Sequence, residues 1–115
     1  MKNYEVYLTP DAIQDLTDIY EYITEKSGLP QVAWAYIEKL RQSCHDLKMV
    51  PLIGQQRHDL RKNLRIVAID KNAIAAFEVI EDKQIVTILN IFYGGRDYEA
   101  IMGSETPHIN DGLDR

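Results

Sequence analysis

Near the middle of the chain the spacing of apolar residues changes period, and that change constrains the fold more than any other feature. As far as Leu47 the apolar residues recur every three or four positions. From Leu64 onward they gather in short runs rich in β-branched and aromatic side chains. A period near 3.6 puts side chains on one face of a helix, and a period of two puts them on one face of a strand. Pro51 and Gly54 close the first regime. The pattern predicts an α+β domain in which a helical segment packs on a small antiparallel sheet.

The opening residues are an exception to the helical period. Tyr4, Val6 and Leu8 alternate with Glu5, Tyr7 and Thr9, as in a short half-buried strand. Thr9-Pro10-Asp11 then reads as a helix start: a capping hydroxyl, a proline tolerated in the first turn and a carboxylate at the positive end of the dipole. Ala12, Ile13, Leu16, Ile19, Tyr20 and Ile23 form one apolar stripe, and Gly28 suits the left-handed residue that ends a helix. Pro30 restarts a second helix whose packing face is Ala33, Ile37, Leu40, Cys44 and Leu47, flanked by Trp34 and Tyr36. So short a connection makes the helices an antiparallel hairpin.

Three strands follow, over 64–69, 74–80 and 85–92, joined by Asp70-Lys71-Asn72 and Glu81-Asp82-Lys83 into an antiparallel meander. Gly94-Gly95 breaks the last of them, and Asp97 caps a brief helical turn through Ile101. The reading is one domain over residues 1–102 and a flexible polar tail over 103–115.

Composition narrows the function classes. The chain has 115 residues, 45% hydrophobic and 27% charged, with a net charge of −5. That is ordinary for a globular domain and speaks against general nucleic-acid binding, which needs a basic surplus. The one cysteine, Cys44, excludes an intramolecular disulfide, and no apolar run suggests a membrane span or signal peptide, so a cytoplasmic protein is expected.

Local charge says more than the total. Between Pro51 and Lys71 stand Arg57, Arg61, Lys62, Arg65 and Lys71 against Asp59 and Asp70, and Arg96 follows the last strand, where it can approach them. One reading is an anion-recognition surface; the other is a solvated sheet edge whose cations suppress strand pairing. His58, between Arg57 and Asp59, is able to exchange protons near neutral pH. Cys44-His45-Asp46 is no catalytic trio, because successive helix positions diverge by ~100°. His108 falls in the tail, no residues have metal-ligand spacing, and no cofactor is expected.

Four segments together resemble a known family: 4–12 (YEVYLTPDA), 15–23 (DLTDIYEYI), Asp59-Leu60-Arg61 with Leu64-Arg65, and 91–98 (IFYGGRDY). This ordered set, over roughly residues 4–102, is similar to the RelE/ParE superfamily of toxins from bacterial type II toxin–antitoxin modules. The resemblance implies the fold read above. In RelE-type members basic residues on the sheet and a C-terminal tyrosine cleave messenger RNA on the ribosome. Arg65 and Arg96 fall at two of those arginine positions, but Gln56 and His58 fall where lysines stand and Met102 where the tyrosine does, with Tyr98 four residues early. The long hairpin and the Gly94–Tyr98 ending look more like ParE, whose target is DNA gyrase.

The resemblance therefore implies a toxin that inhibits gyrase by protein contact, with Arg57, Arg61, Arg65, Arg96 and Tyr98 facing target or partner. A cognate antitoxin neutralises it, laying an acidic or apolar segment in the groove between hairpin and sheet, and the toxin alone makes no stable contact with DNA. The alternatives it leaves are a ribosome-dependent endonuclease using His58, Arg61, Arg65 and Arg96, and a degenerate toxin that keeps only antitoxin binding.

Overall fold

A computed structural model describes residues 3–104 of the chain. Strand β1 (Glu5–Leu8) leads into helices α1 (Pro10–Ser27) and α2 (Pro30–His45), and a 3-10 turn over Asp46–Lys48 closes the hairpin. Strands β2 (Gln55–Gln56), β3 (Arg65–Asp70), β4 (Ala73–Ile80) and β5 (Ile85–Tyr93) follow, and helix α3 (Tyr98–Ser104) ends the described chain.

The capping chemistry is as the sequence predicts. Thr9 is extended and its hydroxyl accepts from the Ala12 N–H at 3.1 Å, while Gly28 ends α1 with φ 73° and donates to the Thr24 carbonyl. Ala33, Ile37, Leu40, Cys44 and Leu47 are all buried, although Leu47 lies on the 3-10 turn rather than in α2. Burial pushes the Cys44 thiol up to about 12, so it packs as a small hydrophobe.

Three features depart from the sequence reading. The sheet has five strands in the order β1-β5-β4-β3-β2, and β1 lies parallel to β5, so only the other pairings are antiparallel. The two-residue β2 carries no period that a pattern search can detect. Ile13 is 53% exposed, because Ala12, Leu16 and Ile19 already define the buried face and Ile13 stands about 100° around the helix from Ala12. Helix α3 runs through Ser104, two residues past the expected domain end; the remainder of the expected tail, with His108, lies outside the described residues.

Two apolar layers sandwich the sheet. The hairpin covers one face, where Leu16, Ile37 and Leu40 meet Phe77, Ile88 and Ile91. Leu64, Ile66, Ala76 and Phe92 line the other, and Met102 of α3 closes over them. Between the layers β5 presents a particular problem. Its edge is paired by β1 only as far as Ile88, and five residues remain to its end. Helix α1 covers part of that edge. The Thr9 hydroxyl donates to the Leu89 carbonyl at 2.9 Å. One oxygen of Asp15 accepts the Ile91 N–H at 2.8 Å and the Asn90 amide at 3.1 Å. A bulge helps, since Ala76 pairs with Asn90 but Phe77 with Ile88, leaving Leu89 over.

A second clasp ties α2 to β3. The Tyr36 hydroxyl donates to Asp70 at 2.7 Å and Lys39 pairs with the same carboxylate at 3.2 Å. With the Tyr36 bond as the larger cause, these partners hold the Asp70 carboxyl down at about 2. A depressed carboxyl stabilises the fold above the ordinary carboxylate range and loses that contribution as pH falls through its folded value. Urea unfolding followed against pH should therefore find Asp70→Asn less stable than wild type at pH 7, with the difference closing between roughly pH 4 and pH 2.

Candidate functional site

The basic loop between β2 and β3 is built largely from its own contacts. Arg57 donates through Nε and Nη2 to the two Asp59 oxygens at 3.0 and 2.8 Å, and through Nη1 to Glu99 at 2.7 Å and the Tyr98 hydroxyl at 3.1 Å. Tyr98 in turn packs on Phe92, ring centroids 6.2 Å apart. One guanidinium thus fastens α3 to the loop, and its hydrogen bonds, helped by its charge, lower the Asp59 carboxyl from its ordinary value. His58 Nδ1 accepts the backbone N–H of Asn63, a residue held at φ 66°, so the imidazole braces the turn and keeps only Nε2 for other work. Arg65 Nη1 donates to the Leu52 carbonyl at 2.7 Å and the Ile53 carbonyl at 3.4 Å.

The residues singled out from sequence therefore fall into two places. Arg57 and Tyr98 meet directly, with His58, Arg61 and Arg65 on the same loop and its neighbouring strand. Arg96 does not join them. It lines a recess of about 340 Å³ with Asp15, Asp18 and Ile19 of α1 and with Tyr93 of β5. The reason is the positive φ of both Gly94 and Gly95, which turns the chain toward α1 before Asp97 starts α3. Asp15 is raised from its ordinary value chiefly by burial, partly offset by its two hydrogen bonds and by the Arg96 charge. Sequence reading sets Asp15 on a face away from the apolar stripe and misses this role; the signal was phase, since position 15 lies three after Ala12 and four before Ile19, on the buried side of α1.

The larger unfilled surface is apolar. A groove of about 890 Å³ runs between β1 and the hairpin, lined by Val6, Tyr7 and Leu8, by Ile13 and Tyr20 of α1, and by Trp34, Arg41 and His45 of α2. Trp34 is 58% exposed, standing edge-on to Tyr20 at 6.5 Å. Since β1 is an outer strand paired with β5 on one side, alternate peptide groups along it face away from the sheet. Sequence reading expected a groove between hairpin and sheet but not its lining, because Ile13 and Trp34 belong to two helices and only the hairpin brings them to one strand edge.

Among the described residues no three His, Cys, Asp or Glu side chains come together as metal ligands, and no helix is long and apolar enough to cross a membrane. A family model described as the ParE toxin of the type II toxin–antitoxin system parDE matches residues 6–98. The chain belongs to the ParE toxin family. No curated protein sequence matches it. Among solved structures, the chromosomal ParDE toxin–antitoxin system from P. aeruginosa is similar at a TM-score of 0.67 and 22% identity, covering 78% of this chain and 95% of that one. The RelBE2 toxin–antitoxin complex from Mycobacterium tuberculosis is similar at a TM-score of 0.53 and 18% identity, covering 80% and 99%. These likenesses bear out the α+β fold read from the sequence, and the family match bears out its assignment to the ParE side of the superfamily.

In this ParE toxin the segment matched by the family ends at Tyr98, so it includes both the Asp15 bonds and the Gly94-Gly95 turn. Asp15→Ala strands the Ile91 N–H and the Asn90 amide together, and should lower stability by about 1–3 kcal/mol. Asp15→Asn keeps an acceptor for both without burying a charge, so urea denaturation at neutral pH should find it closer to wild type than the alanine variant.

Proposed function

We propose that this ParE-type toxin acts in the cytosol by protein–protein contact on DNA gyrase, and that a cognate antitoxin holds it inactive by filling the groove between β1 and the hairpin. The observation that carries the reading is the commitment of the cations. Arg57 is engaged by Asp59, Glu99 and Tyr98, and Nη1 of Arg65 is turned onto two backbone carbonyls, so both guanidinium groups are spent largely on the protein's own oxygens. His58 has one nitrogen engaged in its own turn, and Arg96 faces α1. Nuclease chemistry needs a proton-transfer group and cations converging on one phosphate. Binding to a protein needs instead an apolar centre with a polar rim, which the groove supplies in Ile13, Tyr20 and Trp34 beside Arg41 and His45.

An antitoxin segment suited to that groove is extended or helical, apolar on the side that meets Trp34, and acidic where it passes Arg41. Purified toxin should inhibit supercoiling by gyrase while leaving ribosome-bound messenger uncut, and the co-expressed product of the adjacent gene should relieve the inhibition. Trp34→Glu should weaken that complex on the order of tenfold or more with little change in melting temperature, because the ring is already exposed. Toxin that cuts messenger and spares gyrase overturns the target assignment. A Trp34→Glu toxin bound as tightly as wild type overturns the placement of the antitoxin.

A further inference from the structure

The groove leaves a second apolar surface unexplained, on the segment that runs from the 3-10 turn to β2. Between the end of the hairpin and β2, Met49 is 74% exposed, Leu52 51%, Val50 49% and Ile53 45%. Four large apolar side chains left exposed within five residues are a concentration of the kind that marks a protein interface.

The patch is held in that shape. Leu47 anchors its start in the core. The Met49 N–H donates to the Asp46 carbonyl, the Val50 N–H to that of Leu47 and the Ile53 N–H to that of Val50, at 3.0, 3.2 and 3.0 Å. Arg65 reaches back from β3 to the Leu52 and Ile53 carbonyls. Gly54 then passes at φ 90° against β3, where a Cβ would stand 2.5 Å from the Ile66 carbonyl oxygen. The loop's own hydrogen bonds are thus made, and its apolar side chains are left over.

We propose that this knuckle, Met49 to Ile53, is the surface with which the toxin docks on its protein target, and that the docking partner is a protein face with an apolar centre and an acidic rim. Charge complementarity selects that partner. Around the knuckle Lys48, Lys62 and Arg65 add positive charge beside Arg57, whose own charge Asp59 and Glu99 already answer, in a chain whose net charge is −5. Lys48 and Lys62 are exposed. Repulsion from the acidic remainder of the toxin turns such a partner toward this segment. The apolar part selects protein over RNA. Residues 49–56 contain no aromatic ring, and single-stranded bases are gripped by stacking on rings. Arg65 is a positioning residue here, since it acts by bracing the loop.

The inference rests on the toxin reading above and adds that target and antitoxin take different surfaces of the toxin. Its test is growth after induced expression, a readout independent of whether the target is gyrase, with co-purification of the adjacent gene's product measured beside it. Met49→Asp with Leu52→Asp should cut toxicity on the order of tenfold at equal protein level while the co-purified product is retained. Lys48→Glu with Lys62→Glu, which changes only exposed side chains, should do the same and covers the case in which the first pair lowers solubility. If both pairs are as toxic as wild type, the knuckle does not dock the target. If they lose the co-purified product and stay toxic, the knuckle belongs to the antitoxin. Loss of messenger cleavage in these variants would make the partner an RNA. A wild type that never slows growth removes the toxin reading and this proposal with it.

Discussion

Strand β5 outruns its neighbour, and most of the architecture follows from how that excess is covered. β1 has to stop at Leu8 so that Thr9 can begin α1, which leaves the last residues of β5 without a strand on that side. A buried peptide group with no partner costs about as much as a lost hydrogen bond. Thr9 and Asp15 remove part of that cost by lending a hydroxyl and a carboxylate from the helix to the strand. The same two residues fix the angle at which α1 crosses the sheet. α2 follows through the tight connection at Gly28, and the Tyr36–Asp70 bond clasps its near side to β3.

Once the hairpin is fixed over one face, α3 covers the other, and two apolar surfaces remain exposed. At the β1 edge the helices overhang the strand and form the apolar groove. On the segment before β2 a braced loop leaves apolar side chains exposed beside a run of cations. The charged residues that draw attention in the sequence lie between these surfaces, and much of their bonding is internal. Arg57 holds α3 down, His58 holds a turn and Arg65 holds the knuckle. The two arginines cap carbonyls and carboxylates, and the histidine accepts a backbone N–H.

Most of the fold was legible because it rests on local rules. The Thr9 cap, the Gly28 stop, the second-helix stripe and the three long strands each follow from a few adjacent residues. The parallel pairing of β1 with β5 joins residues some 80 positions apart, as Glu5 with Ile85, and nothing in either segment encodes the direction. Of the candidate site, the identities of the basic residues were legible but their partners were not. Glu99 meets Arg57 across 42 positions of chain, so a cation that reads as available is neutralised only in three dimensions. The lining of the groove and the whole of the knuckle escaped for the converse reason: an exposed Trp34 or Met49 is indistinguishable in sequence from a buried one.

The central claim is that toxicity here is docking and not proton transfer, and His58 separates the two. It is the imidazole on the basic loop, and a nuclease that used it as acid or base would lose roughly 10²–10⁴-fold in cleavage on its removal. The most direct measurement is the growth of cells expressing His58→Ala at the level and melting temperature of the wild-type protein. The account predicts toxicity equal to wild type. Cells that grow normally on that variant would contradict it and return the chain to the nuclease class.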